Sequence, residues 1–146
     1  MNFDRESVIA RCVELKRNVV AEDEFDHGNR QKLNLGHTIG HGIEACSQYN
    51  ISHGSAVAAG MAIVARAAML HNYCDAHCTN QILHILNAFG LPTNTVYDAD
   101  ALYKCALSDK KRAGGTVNLI VPKNIGDCYI LPTPTDAIKE FIATGL

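Results

Sequence analysis

The chain has 146 residues, of which 47% are hydrophobic, and its formal net charge is −2. This length and composition suit one domain with an ordinary buried core. So small a charge, without a block of basic residues, argues against nucleic acid or an anionic membrane as a partner. The longest apolar stretch, residues 56–70, contains Arg66 and is too short to span a bilayer. The six cysteines are scattered, so we expect thiols in a reducing compartment rather than a disulfide framework.

Apolar residues recur at helical spacing over most of the chain, so the sequence predicts a mainly α-helical domain. Asp4 is expected to cap the first helix. Ser52 is expected to cap the helix that begins at residue 53, which is the longest and most apolar one. The predicted helices span roughly residues 4–20, 31–49, 53–72, 75 or 79 to 90, 98 or 100 to 107, and 135 or 136 to 143. Residues 116–121 and 127–131 are predicted to form a small β-hairpin. Because helix 53–72 is apolar nearly all round, we expect it to be the buried centre of the domain.

Residues 33–44 combine two histidines with three glycines. His37 and His41 are four residues apart, so on a helix both imidazole rings project from one face, about 6 Å apart at Cβ. Each glycine in a helix interior costs roughly 1 kcal/mol relative to alanine. We therefore expect a close approach here, with a ligand or another backbone lying where side chains would otherwise be.

His53 lies at the predicted start of the next helix and supplies a third histidine. Two histidines four residues apart, with another arriving from elsewhere, form a pattern that metal sites use. Spacing alone also leaves open that each histidine packs in a core or caps a helix. A catalytic zinc usually has three protein ligands and an open position, so two histidines would leave such a site incomplete. A weaker metal candidate is the segment 74–78, which contains Cys74, His77 and Cys78.

Further motifs follow the same order along the chain as in a known family. They are Lys16 with Val19 and Val20, Asp23 with Glu24, Arg30, Leu33 with Asn34, residues 36–41, His53 with Gly54, residues 56–58, Gly60 with Met61, and residues 109–111. Together they resemble the C-terminal domain of the 3-dehydroquinate synthase family, from about residue 8 to the end of the chain. Other sugar-phosphate cyclases of the same superfamily are the nearest competitors.

The resemblance implies an enzyme of the shikimate pathway of aromatic amino-acid biosynthesis. The intact protein would convert the sugar phosphate 3-deoxy-D-arabino-heptulosonate 7-phosphate (DAHP) to 3-dehydroquinate and phosphate, a carbon–oxygen lyase reaction. Its cofactors would be NAD⁺ and a divalent metal, zinc or cobalt. By the same resemblance it would be a cytoplasmic homodimer that acts on a small molecule and binds neither nucleic acid nor membrane.

The resemblance also implies roles for individual residues. His37 and His53 would bind the metal. His41 would lie beside the substrate in a proton-transfer role. The residues that would hold the substrate's carboxylate, hydroxyls and phosphate are Lys16, Arg30, Asn34 and one of Lys110 and Lys111. Lys16, Arg30 and Asn34 would count with His41 among the catalytic residues.

Two parts of the family's pattern are missing from this sequence. The NAD-binding N-terminal domain is absent, since no glycine-rich strand–turn–helix motif occurs, and the family's third metal ligand, a glutamate, would lie before Met1. We therefore expect residues 1–146 to be a metal- and substrate-binding C-terminal domain, either a fragment or one half of a split enzyme. Alone it should be inactive and should bind neither NAD⁺ nor zinc tightly. The alternatives are half of a related sugar-phosphate cyclase and a stand-alone helical binding module.

A domain cut at its active-site cleft should carry its site on an open surface. We expect Lys16, Arg30, His37, His41 and His53 along one exposed wall rather than in a closed pocket. Apolar side chains that contact the absent domain should be exposed as well. His41 is not expected to replace the absent glutamate, since its placement suits the substrate side of the metal.

Overall fold

The structure is a computed structural model, and it describes residues 4–25, 27–107 and 115–146. The chain divides into two compact units, Met1–Asn34 and Leu35–Leu146. In chain order the elements of the described residues are helix α1 (Arg5–Glu22), a 3-10 helix (Asn29–Asn34), helices α2 (His37–Cys46), α3 (His53–Leu70), α4 (Ala76–Ala88) and α5 (Ala99–Leu107), strands β1 (Thr116–Asn124) and β2 (Asp127–Pro134), and helix α6 (Ile138–Gly145). The predicted fold class, mainly helical with a small β-hairpin, is confirmed.

Helix α1 of the first unit forms where apolar spacing predicts it. The Asp4 carboxylate accepts hydrogen bonds from the backbone N–H groups of Glu6 and Ser7, which satisfies donors that a helix N-terminus leaves unpaired. No side chain of α1 is buried, and Ile9 and Val13 are 63% and 62% exposed. The periodicity therefore predicts the helix correctly, while most of its apolar residues are exposed and Val19 and Val20 are half-buried.

Helix α3 is the centre of the second unit. Ten of its residues are buried, more than in any other helix of the described residues, and it packs against α2, α4, α6 and β1. Eight of those ten are alanine or glycine, so the neighbouring helices can approach its axis closely. The apolar stretch 56–70 is too short to span a bilayer, but the whole of α3 is long and apolar enough to do so. Because 56% of it is buried inside the protein, it is typical of a core helix. The predicted most buried helix is confirmed.

The two strands form an antiparallel hairpin that closes at Gly126, where φ is 94°. Leu119 lies opposite Leu131, and Val121 lies opposite Tyr129. Leu119 and Val121 are buried in the core of the second unit. Both strands continue beyond their predicted ends at residues 121 and 131.

The helix predicted over residues 31–49 is wrong, since this stretch forms two separate elements. The 3-10 helix ends at Asn34 and α2 begins at His37, because Gly36 has a φ of 77°. This left-handed conformation interrupts an α-helix, and glycine adopts it without a steric penalty. At the other end α2 stops at Cys46, and Gln48 and Tyr49 follow with φ of 52° and 61°.

The last helix also begins later than the sequence predicts. Residues 135–137 form a turn after β2, in which the N–H of Thr135 donates to the carbonyl of Gly115 and the N–H of Ala137 donates to that of Pro134. The N-cap residue is Ala137, without a side-chain hydrogen bond, so the predicted cap at Thr135 or Asp136 is wrong and α6 starts at Ile138. The other helices begin and end within two residues of their predicted bounds.

Candidate metal centre

Three histidines come together where α2 and α3 begin. His37 is the first residue of α2, His41 lies about one turn further along, and His53 is the first residue of α3. The ring centroids are 5.3 Å apart for His37 and His53, 5.7 Å for His41 and His53, and 5.8 Å for His37 and His41. Rings this close can approach a single ion or a small polar molecule together.

Glycines bring α2 against α3 at this point. A Cβ on Gly60 would lie 2.2 Å from the carbonyl oxygen of Gly36 and 2.9 Å from the backbone nitrogen of Gly40. A Cβ on Gly40 would lie 3.0 Å from the Cα of Val57. Such distances leave no room for side chains at these positions. The close approach that the glycines predict is therefore confirmed, and the neighbour is another backbone.

Glu44 connects two of the histidines. It lies about one turn after His41 on α2, and its side chain is 12% exposed. Its Oε2 accepts hydrogen bonds from Nδ1 of His41 at 2.9 Å and from Nδ1 of His53 at 3.1 Å, and its Oε1 lies 3.2 Å from the same His53 nitrogen. Burial acts to raise the pKa of Glu44, but the hydrogen bonds and charges of His53 and His41 outweigh it, so the pKa lies below its ordinary value. The carboxylate is therefore ionised at neutral pH.

In all three imidazoles Nδ1 lies beside an oxygen that can only accept. For His37 this is the carbonyl of Leu35, at 3.2 Å, and for His41 and His53 it is Glu44. Nδ1 must then carry the proton, which in a neutral imidazole leaves the lone pair on Nε2. A histidine that binds a metal through one nitrogen typically donates from the other to a carbonyl or carboxylate. The donor set therefore fits a divalent metal bound through Nε2 of these histidines, and the assignment of His37 and His53 as its ligands stays a prediction.

Among the described residues, one group of three side chains has potential metal-ligand atoms close together. It consists of His41, Glu44 and His53, whose atoms all lie within 4.8 Å of one another. The group contains one predicted metal ligand, His53, together with the predicted proton-transfer residue His41, and it has the Glu44 carboxylate but not His37. The cysteine-containing candidate at 74–78 forms no such group within this part of the chain; the Cys74 thiol instead lies 3.4 Å from the hydroxyl of Thr79.

The other predicted site residues that the structure describes belong to the first unit. Lys16 lies on α1, and Arg30 and Asn34 lie on the 3-10 helix. Lys16 and Asn34 are exposed, and Arg30 is half-buried, with its guanidinium donating to the carbonyl of Glu24. Two predicted substrate contacts lie outside the described residues: Lys110 and Lys111. That these residues share one wall with the histidines stays a prediction.

Asp23 organises the turn that leads to Arg30. Its carboxylate accepts hydrogen bonds from the backbone N–H groups of His27 at 3.0 Å, Gly28 at 2.7 Å and Arg30 at 3.1 Å. The bond from Gly28 above all holds the pKa of Asp23 below its ordinary value, against the opposing effect of burial. One side chain thus holds the backbone that carries Arg30.

Replacing Asp23 with alanine should lower the hydrogen-exchange protection of the amides of His27, Gly28 and Arg30, because all three lose their acceptor. Folding lowers the pKa of Asp23, so its contribution is fully present above the unfolded pKa of about 3.9 and is lost as the pH falls through the folded-state value. Protection factors measured by NMR should therefore be constant from neutral pH down to about that unfolded value. The exposed Asp136 supplies the control, since Asp136→Ala should leave the three amides unchanged. Equal protection in Asp23→Ala and the parent chain would contradict this role.

Glu44 is the site residue that the sequence analysis did not assign. It follows His41 by three residues and His37 by seven, so all three lie on one face of α2. A carboxylate placed on the face that carries two histidines is a typical hydrogen-bond partner for them. That spacing could have identified it. Its bond to His53, however, depends on how α2 and α3 pack.

Solved structures with this fold are sugar-phosphate cyclases. The chain superposes with a TM-score of 0.80 and 29% identity on 2-deoxy-scyllo-inosose synthase complexed with carbaglucose-6-phosphate, NAD⁺ and Co²⁺, over 97% of this chain and 41% of that one. It superposes with a TM-score of 0.79 and 19% identity on 2-epi-5-epi-valiolone synthase of Streptomyces hygroscopicus, over 95% of this chain and 39% of that one. The fold is thus that of a part of these enzymes, about two fifths of their length.

Sequence similarity identifies the family within that class. The model of the 3-dehydroquinate synthase C-terminal family matches residues 2–112. The chain is 40% identical over 139 residues to the 3-dehydroquinate synthase of Streptococcus gordonii, 41% over 137 residues to that of Streptococcus suis, and 37% over 139 residues to that of Enterococcus faecalis. These matches cover 94%, 92% and 94% of this chain. The chain belongs to the 3-dehydroquinate synthase C-terminal family, and it spans about 39% of the length of these curated relatives.

Proposed function

We propose that this chain is the metal- and substrate-binding part of a 3-dehydroquinate synthase, which in its intact form converts DAHP to 3-dehydroquinate and phosphate. The observation that carries the proposal is the convergence of His37, His41 and His53, each with its Nδ1 proton held by an oxygen. Membership of the family supports the reaction, because the full-length relatives are named for it.

His37 and His53 would hold zinc or cobalt through Nε2. The similar 2-deoxy-scyllo-inosose synthase was solved with NAD⁺ and Co²⁺, which supports the same pair of cofactors in the intact protein. When bound, the metal would lower the pKa of the substrate hydroxyl that is oxidised, and NAD⁺ would accept the hydride. This chain alone should bind neither tightly, because by resemblance the third metal ligand and the NAD-binding domain come from outside residues 1–146.

His41 is the residue proposed to move a proton. With its Nδ1–H donated to Glu44, its Nε2 can accept a proton from the substrate and return it. Its side chain is 60% exposed, so a substrate can reach it. DAHP would be bound by Lys16, Arg30, Asn34 and one of the two lysines at 110 and 111. The cationic side chains among them suit its carboxylate and phosphate.

The intact protein would be a cytoplasmic homodimer in which an NAD-binding domain precedes these residues. The exposed apolar side chains of α1, Ile9 and Val13 among them, support a partner of this kind, because burying them against it would remove apolar surface from water. Residues 1–146 alone would then be inactive.

A chimeric enzyme tests the proposal. The segment of the Streptococcus gordonii enzyme that this chain matches is replaced by the chain, and phosphate release from DAHP is measured with NAD⁺ and zinc. We expect turnover that needs both cofactors and that falls by about 10²–10⁴-fold in His41→Ala, the effect of losing a general acid–base group. His84→Ala, at an exposed histidine of α4, is the matched control and should retain the parent rate.

Two outcomes would favour the alternatives. A folded chimera that releases phosphate from another sugar phosphate but not from DAHP would indicate a related cyclase. A folded chimera that binds NAD⁺ but turns over neither substrate would contradict the proposal and favour a binding module without catalysis.

A further inference from the structure

We propose that Glu44 is a positioning residue that fixes the tautomers of His41 and His53 at the same time. This inference rests on the proposed function, because it gives Glu44 a role in the same site. One carboxylate oxygen, Oε2, accepts from Nδ1 of both rings, at 2.9 and 3.1 Å. The two rings belong to different helices, so Glu44 couples the residue proposed to move the proton to a residue proposed to bind the metal.

The partial burial of Glu44 strengthens this coupling. Its side chain is 12% exposed, whereas those of His41 and His53 are 60% and 55% exposed. A carboxylate withdrawn from water needs hydrogen-bond donors, and the two Nδ1–H groups supply them. If either ring moved its proton to Nε2, the carboxylate would lose a donor. A hydrogen bond to a charged acceptor shifts such an equilibrium by roughly ten-fold or more.

The tautomer decides what Nε2, on the opposite edge of each ring, can bind. With Nδ1 protonated, His53 offers the Nε2 lone pair to a metal and His41 offers the Nε2 lone pair to a proton. In the other tautomer, Nε2 would carry a hydrogen and neither function could proceed. Glu44 therefore need not touch metal or substrate to be required for both.

His37 provides an internal comparison. Its Nδ1 donates to the carbonyl of Leu35 rather than to a side chain. Removal of the Glu44 carboxylate should therefore change the tautomers of His41 and His53 and leave that of His37 unchanged. A general disruption of the site would affect all three rings.

The experiment uses the metal-free ¹⁵N-labelled chain in a mildly alkaline buffer. Long-range ¹H–¹⁵N NMR spectra report which ring nitrogen carries the proton. In the parent chain we expect Nδ1–H in His37, His41 and His53. In Glu44→Ala the Nε2–H form should increase by roughly ten-fold or more in His41 and His53 only. If the alanine variant does not fold, Glu44→Gln takes its place in the experiment. This variant keeps the size of the side chain and one acceptor oxygen, so at least one ring should retain Nδ1–H.

Two results would overturn the inference: a mixture of tautomers in the parent chain, or tautomers in both variants that match those of the parent.

Zinc titration supplies a further check, because loss of a hydrogen-bond partner of a metal ligand weakens binding by roughly 10–100-fold. A loss in Glu44→Ala as large as that in His53→Ala would make Glu44 a ligand instead and would also contradict the inference. Because the NMR measurement needs neither metal nor substrate, its failure is distinct from an inactive chimera.

Discussion

Replacing Gly60 with alanine should lower the free energy of unfolding of the second unit by about 3 kcal/mol or more. The added Cβ would lie 2.2 Å from the carbonyl oxygen of Gly36 and 2.9 Å from the backbone nitrogen of Gly40. Both atoms belong to backbone, so no rotamer change can relieve the clash, and α2 must move away from α3. The gain of about 1 kcal/mol that alanine brings to a helix interior is too small to compensate. Urea unfolding followed by circular dichroism measures the effect.

Gly54 provides the matched control on the same helix. Among the described residues, a Cβ at this position would meet no atom within 4 Å apart from its chain neighbours and the nearby backbone of its own helix. Gly54→Ala should therefore leave the stability unchanged or raise it by up to about 1 kcal/mol. If Gly60→Ala unfolded at the same urea concentration as Gly54→Ala, the close approach of α2 and α3 would be wrong.

The helices and the hairpin could be predicted because their signals are local. Asp4 and Ser52 cap the helices that follow them by accepting backbone N–H bonds within three residues. The apolar residues on nearly every side of α3 predict its burial. The break at Gly36 had no local signal of that kind. A glycine can occupy a helix interior or a left-handed position. Here Gly36 is left-handed, and a Cβ on it would lie 2.6 Å from the backbone nitrogen of Met61 and 2.8 Å from the carbonyl oxygen of Val57 on α3.

The candidate site could likewise be predicted only where its signals are local in the sequence. Spacing on α2 placed His37 and His41 on one face, and the predicted start of α3 placed His53 at a helix end. The distances between the rings, however, depend on tertiary packing through Gly36, Gly40 and Gly60, which no spacing rule contains. The role of Glu44 needs that packing as well, since its bond to His53 joins two helices.

Zinc binding by the isolated chain should be weak and should depend on His37 rather than on His41. By resemblance the chain supplies His37 and His53 but not the anionic third ligand, so both a bond and a compensating charge are missing. The affinity should therefore lie orders of magnitude below that of structural zinc sites, for which the binding free energy is about 10–16 kcal/mol. Calorimetric titration of zinc should show a further loss in His37→Ala and a change of at most a few-fold in His41→Ala.

The pair of variants separates two arrangements of ligands. If the metal were instead held by His41, Glu44 and His53, whose ligand atoms lie within 4.8 Å of one another, then His41→Ala would abolish binding and His37→Ala would spare it. Tight stoichiometric binding that survives His37→Ala would thus show that the proposed ligands are wrong. Tight binding abolished by His37→Ala would mean that this chain supplies a third ligand. Glu44, the ionised carboxylate beside His53, would then be the first residue to replace. Of His41, Glu44 and His53, it alone could neutralise part of the metal's charge.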